Sequence, residues 1–207
     1  REARRRPFVW SGLLTALEHL RFFRGDSVPA ARRLVSGLSV TPRARLAEEA
    51  LSGLRAGRRT LKVKVGMCGL AADIRGLREI LAAVPRGVKI RIDANQAYGL
   101  REAVGLWEAV GGAQVEFLEQ PFAKGRWDLT RRLARSGARI LLDESIWSER
   151  DLERAAEAGV GQVKLKLFKL ASPRRSVRMI ERARRLGLGV IWGNGFSGEI
   201  GNWHELL

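Results

Sequence analysis

The sequence has one cysteine, Cys68, and only two histidines, His19 and His204, in 207 residues. A lone thiol excludes an internal disulfide framework and suits a reducing compartment, so the cytoplasm is the expected location. Two histidines, neither at a strand end in the pattern below, leave little from which to build a zinc site. No run of eighteen uncharged apolar residues exists, so no membrane-spanning helix is expected. The opening Arg4-Arg5-Arg6-Pro7-Phe8-Val9 has the outward look of a twin-arginine export signal. Glu18 and His19 interrupt the apolar stretch Val9 to Leu17, Arg21 and Arg24 follow, and no small-residue cleavage site closes it. An amphipathic helix over Pro7 to Phe23 is the better reading. Acidic residues are also scarce, 22 against 38 basic ones, for a net charge of +16. Nucleic-acid binding would need that charge clustered on one face. Pairs such as Arg131-Arg132, Arg174-Arg175 and Arg184-Arg185 instead sit beside apolar positions in helical stretches, so most of the charge reads as solvated helix surface. Nucleic acid is thus not the expected partner and stands only as a minor alternative.

With 45% apolar side chains the chain can bury a single-domain core. From about residue 34, short β-rich runs alternate with amphipathic stretches, the pattern of consecutive βα units around a parallel sheet. Strands are expected near Leu34–Leu38, Leu61–Val65, Val88–Asp93, Val115–Glu119, Ile140–Asp143, Gln162–Lys166 and Leu188–Trp192. Helices are expected over Arg43–Arg55, Leu70–Val84, Leu100–Val110, Arg126–Arg135, Ser148–Ala158 and Pro173–Leu186. Ser148 with Asp151 suits a helix start, Pro173 a first turn, and Gly159 and Gly187 helix ends. Such units close into a TIM-type barrel, although a doubly wound sheet shows the same alternation. Two segments are expected: residues 1–30, a helix outside the repeat, and residues 31–207, a partial (β/α) barrel. The chain begins at Arg1 rather than methionine and reaches Leu207 before any eighth strand, so it reads as incomplete.

Successive side chains on a strand face opposite sides. If Leu61, Val63 and Val65 meet the helices, Lys62 and Lys64 point inward. The same alternation turns Arg91 and Asp93 inward, then Val115, Phe117 and Glu119, then Leu141 and Asp143, then Lys164 and Lys166. Five consecutive strands therefore end in Lys64, Asp93, Glu119, Asp143 and Lys166, at spacings of 29, 26, 24 and 23 residues. Three carboxylates at one barrel mouth repel each other and must take up protons or a cation. Magnesium accepts oxygen ligands and leaves positions open for substrate, which makes Asp93, Glu119 and Asp143 its expected ligands, with manganese as the alternative. A structural network of acids and lysines is the bland competing reading. Lysines on either side of the acids suit removal of a proton beside a carboxylate. A lysine serves as base when neighbouring positive charge, here Lys62 and the metal, lowers its pKa. Counting Lys62, Lys64, Arg91, Lys164 and Lys166 as inward bases, the mouth is electropositive and a small anionic carboxylate is the expected substrate.

Lys62-Val63-Lys64, Asp93-Ala94-Asn95, Glu119-Gln120-Pro121, Asp143-Glu144-Ser145 and Lys164-Leu165-Lys166 resemble, in order and spacing, the muconate-lactonizing-enzyme subgroup of the enolase superfamily. The resemblance runs over roughly residues 8 to 207. It implies that Asp93, Glu119 and Asp143 hold magnesium, that Lys64 is the catalytic base and Lys166 the opposing lysine, with Lys169 a rival that alternation disfavours. It also implies that Asn95 and Glu144 support the ligands. The segment from Gly193 to Glu199, with Asn194 and Gly195, is similar to the substrate loop after strand seven, but Gly-Asn-Gly replaces the serine-rich form common in relatives. Residues 1–30 would be what remains of a capping domain.

Within the subgroup the compact spacing and Arg91-Ile92-Asp93-Ala94-Asn95 look most like o-succinylbenzoate synthases, hydro-lyases of menaquinone biosynthesis. That likeness implies α-proton removal by Lys64 and loss of hydroxide, with Lys166 steadying the intermediate. Dipeptide epimerase or N-acylamino acid racemase is the alternative, an isomerase using both lysines. An inactive barrel fragment or a basic nucleic-acid-binding protein is the alternative of another class. Without the capping loops that normally enclose the substrate, the isolated chain is expected to be poorly active.

Overall fold

The computed structural model describes residues 45–193 in full and the backbone of 35–39. The expected helix over Pro7 to Phe23, both histidines, Asn194 and Gly195 lie outside the described residues.

The chain divides into two compact units, one comprising residues 32–145 with 157–160 and the other 146–156 with the segment from 161 onward. In the first, β1 (Val35–Ser39), β2 (Thr60–Lys64), β3 (Lys89–Asp93), β4 (Val115–Glu119) and β5 (Ile140–Leu142) alternate with α1 (Leu46–Arg55), α2 (Leu70–Ala83), α3 (Leu100–Val110) and α4 (Trp127–Arg135). Each strand pairs in parallel with the next in chain order. A doubly wound sheet has to reverse its strand order at a switch point, and no reversal occurs among these five.

The reason for the parallel arrangement is visible in the side chains. Leu61, Val63, Ile90 and Ile92 are fully buried, and the helices add Leu77, Ile80, Leu106 and Leu133 to the core. Each such side chain is worth roughly 1.5–3 kcal/mol on leaving water. The strands are apolar on the helix side and carry charge on the other, so burying one face brings the charged residues of neighbouring strands into rows.

One expectation fails at β4. The register pairs Ile90 with Val115 but Arg91 with Phe117, so Glu116 is an extra residue, a β-bulge. Val115 consequently shares the helix-facing side with Ile90 instead of pointing inward. Below the bulge the side-chain phase differs by one from that of the residues above it, which simple alternation cannot foresee.

In the second unit, α5 (Glu149–Glu157), β6 (Gln162–Leu165), α6 (Leu167–Leu170), α7 (Pro173–Arg185) and β7 (Gly189–Trp192) follow in order, with β6 and β7 parallel. The local signals operate as their chemistry dictates. Asp151 accepts hydrogen bonds from the Trp147 amide at 3.1 Å and the Ser148 hydroxyl at 2.8 Å. Ser172 accepts from the Arg175 amide at the start of α7, with Pro173 in the first turn. Gly187 takes the left-handed φ of 73° that ends the helix. The short α6 is absent from the expected elements, four residues being too few to show a period.

Candidate active site at the strand ends

In the first unit the register places Lys64 opposite Asp93 and Asp93 opposite Glu119, so three neighbouring parallel strands end in one row. Asp93 and Glu119 are each 1% exposed and Asp143 is 3% exposed. Two adjacent buried carboxylates need a cation within reach. Lys62, one inward position below Lys64, supplies it: its Nζ lies 2.6 Å from Asp93 Oδ2 and 3.0 Å from Glu119 Oε1. Burial pushes the Lys62 ammonium toward losing its proton. The charges of Glu119 and Asp93, with the hydrogen bonds they accept, outweigh that and hold it above the ordinary lysine range.

Lys64 has the opposite surroundings. It is exposed, and among the described residues no carboxylate pairs with it. Lys62 and Lys64 therefore share a face but not a task, one being taken up as a counter-ion while the other keeps its amine available.

The second oxygen of Asp93 is held from the loop that follows β3. Asp93 Oδ1 accepts from the Asn95 amide at 3.1 Å, and the Asn95 side chain donates to Glu144 Oε1 at 3.2 Å. The two residues expected to support the ligands are thus in contact with each other. Asn95 and Gln96 have φ of 42° and 70°, and Gln120 has φ of 37°, left-handed values uncommon outside glycine. They cluster at the ends of β3 and β4, where the chain turns sharply out of the sheet.

Arg91 takes no part in this row. Its Nε donates to Glu116 Oε2 at 2.5 Å and its guanidinium lies 5.4 Å from the centre of the Phe117 ring. The bulge brings Glu116 to Arg91's side, and that acid was missing from the expected charge count. With Lys62 and Arg91 both neutralised, the electropositive excess counted from inward bases is smaller than sequence alone suggested.

The donor set suits a hard divalent cation, since buried carboxylate oxygens on adjoining strands are what magnesium prefers over nitrogen or sulfur ligands. Among the described residues no three His, Cys, Asp or Glu side chains form a group tight enough to hold an ion in this conformation. The Lys62 ammonium does the charge balancing between Asp93 and Glu119.

In the second unit Lys166 follows the last residue of β6 with extended backbone, and its Nζ lies 5.9 Å from the centre of the Phe168 ring. Lys164 is buried. Lys169, the rival to Lys166, is also buried on α6, and its ammonium turns back to donate to the Lys164 carbonyl at 2.9 Å. Gly193 follows β7 and lies against the two lysine stems: a Cβ there would lie 2.7 Å from Lys164 Cδ and 3.2 Å from Lys166 Cε. Gly193 therefore makes room for both lysines, a role the sequence did not disclose.

Residues 45–206 match the family model described as enolase C-terminal domain-like. Among curated relatives, the chain is 30% identical over 150 residues to a hydrophobic dipeptide epimerase of Enterococcus faecalis, covering 72% of this chain and 42% of that protein. It is 31% identical over 179 residues to muconate cycloisomerase 1 of Pseudomonas putida, covering 85% and 47%. An o-succinylbenzoate synthase of Thermosynechococcus vestitus is 33% identical, but over 108 residues, half of this chain and 33% of that protein. Among solved structures, a dipeptide epimerase from Methylococcus capsulatus complexed with magnesium superposes with a TM-score of 0.72 at 28% identity, covering 82% of this chain and 50% of that one. The chain spans less than half the length of the curated relatives it matches. No helix among the described residues is long and apolar enough to cross a membrane. The match over most of its length and the parallel strand order together place the chain in the enolase C-terminal domain-like family, with that superfamily's (β/α) barrel architecture represented over seven strands among the described residues.

Proposed function

We propose that the chain carries the proton-abstracting machinery of an isomerase that inverts the carbon α to a carboxylate, of the dipeptide epimerase type. The observation that carries this reading is the registered row of Lys64, Asp93 and Glu119, an available amine beside two buried carboxylates on adjoining strands. Bound at Asp93, Glu119 and Asp143, magnesium would supply electrostatic stabilisation for negative charge developing on the substrate carboxylate. Lys64 takes the α-proton, and Lys166, the second lysine of the pair, returns one. Lys62 keeps its proton and holds the Asp93 and Glu119 side chains in place. Asn95 fixes the orientation of Asp93 through its backbone amide.

Support for the epimerase over the dehydrating synthase comes from extent: the epimerase likeness covers 72% of the chain and the synthase likeness half of it. The synthase remains the second reading, favoured by its 33% identity within that shorter span. Both begin with the same proton removal. The full chain in heavy water with magnesium and an L,L-dipeptide should wash deuterium into the α-carbon, read by proton NMR, with no dehydration product. Lys64→Ala should stop this without changing the circular dichroism spectrum. Exchange that survives in Lys64→Ala would refute the assigned base. Dehydration of a cyclohexadiene carboxylate without dipeptide exchange would move the assignment to the synthase.

A further inference from the structure

Asp143 lies just past the residues that the sheet holds. The last β4–β5 pair is Glu119 with Leu141, and β5 itself ends at Leu142. Asp143 must keep its place relative to Glu119 if the two are to serve one cation. The side chain next to Glu119 meets that need. Gln120, 1% exposed, accepts at Oε1 from the amides of Asp143 at 3.0 Å and Ser145 at 3.2 Å. At Nε2 it donates to the Phe122 carbonyl at 2.9 Å and to Ser145 Oγ at 2.8 Å. All four hydrogen-bonding places of a carboxamide are filled, and only one orientation of the amide fits, with oxygen toward two N–H groups and nitrogen toward two oxygens. The backbone of Gln120 is engaged as well: its amide donates to the Leu141 carbonyl and its carbonyl accepts from Gln96, both at 2.8 Å. The left-handed φ of 37° is what turns the side chain along the sheet edge toward β5.

We infer that Gln120 is a positioning residue: its carboxamide extends the β4–β5 ladder beyond its last paired residue and sets where Asp143 stands beside Glu119. The inference rests on the metal-ligand reading of Asp143 and Glu119. Neither glutamate, which lacks the two donors, nor methionine, of similar length but without donors or a strong acceptor, does the same. The side chain's four bonds offset the conformational cost of glutamine, instead of glycine, at this left-handed position.

The test uses the full chain, with Gln120→Met and the milder Ser145→Ala, which removes one of the two groups that Nε2 donates to. Amide hydrogen exchange without metal reads the positioning directly, and calorimetric titration with magnesium chloride reads its consequence. In the wild type the Asp143 and Ser145 amides should be as protected as that of Leu118, which donates within the ladder to Arg139. Gln120→Met should lose protection at Asp143 and Ser145 at least a hundredfold while Ile92 keeps its own, and should bind magnesium at least tenfold more weakly. Ser145→Ala should show smaller losses in the same order. A Gln120→Met protein that loses protection evenly across the sheet and keeps its magnesium affinity would show a merely structural role and overturn the inference. If Gln120→Met does not fold, a wild-type Asp143 amide that exchanges freely, or a Ser145→Ala protein indistinguishable from wild type, overturns it instead. Failure of the wild type to bind magnesium would sink the metal reading and, with it, this use of Gln120, even if the exchange pattern shows the ladder extension intact.

Discussion

Replacing Lys62 with methionine removes one ammonium group and keeps most of the stem's volume. What remains is Asp93 and Glu119, each 1% exposed and adjacent in register, without the cation that now lies 2.6 Å and 3.0 Å from their oxygens. Breaking a buried ion pair by deleting one partner costs about 3–5 kcal/mol, because the other charge stays buried and uncompensated. The Lys62 side chain is 26% exposed, so water already shares in its solvation and the lower end, about 3 kcal/mol, is the fitting figure. For a chain of this size that corresponds to a drop in Tm of about 6–12 °C. The measurement is differential scanning calorimetry of wild type and Lys62→Met in EDTA and again in magnesium. At one fixed magnesium concentration each protein gains in proportion to the logarithm of one plus that concentration over its Kd, about 2.7 kcal/mol where the concentration is a hundred times its Kd, so the tighter binder gains more. The variant, with one counter-charge fewer beside the two acids, should bind the metal more tightly, gain more from it than the wild type and recover most of its loss. A Lys62→Met protein melting within about 2 °C of wild type in EDTA would refute the idea that this ammonium balances the two acids. An equal gain from magnesium in both proteins would show that Lys62 and the metal do not act on the same carboxylates.

Tyr98, the chain's single tyrosine, is raised above the usual phenol range by burial first, then by its 2.7 Å hydrogen bond to Asp73 and that residue's charge. Its folded-state pKa exceeds the unfolded one, so the associated stability is whole below about pH 10 and falls as pH rises and the unfolded chain ionises. Absorbance at 295 nm should therefore show no phenolate before unfolding, and an earlier onset in Asp73→Asn; a normal titration in the folded wild type would contradict this. Gly66→Ala would place a Cβ 2.3 Å from that of Ala97 at a φ of 91°. It should cost about 2–5 kcal/mol in chemical denaturation, the sum of overpacking and left-handed strain, and a loss under about 1 kcal/mol would show that the loop simply relaxes. Gly193→Ala presses on flexible lysine stems rather than backbone. It should leave Tm within a few degrees of wild type while cutting α-proton exchange at least tenfold, and unchanged exchange would deny Gly193 its role in placing Lys164 and Lys166.

Sequence and structure agree best where a single physical rule governs. The helix-facing residues of β2 and β3 could be read from period-two alternation because Leu61, Val63, Ile90 and Ile92 all obey it. Helix ends were legible at Pro173 and at Gly187, where the chemistry is local. The pattern misled at Val115, since a bulge depends on how two strands pair and leaves no mark within either strand. The same bulge hid the partner of Arg91. Gln120 stood inside a recognisable Glu-Gln-Pro triplet, yet nothing in the triplet shows that its amide reaches Asp143 and Ser145 on the next strand. Non-local partners, and not local propensity, account for each miss.

The two lysines of β2 show how register divides labour between residues that composition treats as equal. Both point to the same face, two positions apart. Lys62 pairs in register with Arg91, below the row of acids, so its long stem reaches up and its ammonium lands between Asp93 and Glu119. Lys64 is level with Asp93 itself and ends the strand, so it has no acid above it to reach for among the described residues and stays exposed. A depth difference of one inward position, about 6.6–6.8 Å along a strand, thus separates a lysine paired with two acids from one left exposed, the one proposed as the base. The swap of roles is testable by charge-preserving exchange. Lys62→Arg should keep both acids paired and largely preserve stability, because a guanidinium can bridge two carboxylates. Lys64→Arg should also fold normally but abolish α-proton exchange, because a guanidinium stays protonated and cannot accept a proton. If Lys64→Arg retained exchange while Lys62→Arg lost it, the base would be Lys62, and the assignment drawn from register depth would be inverted.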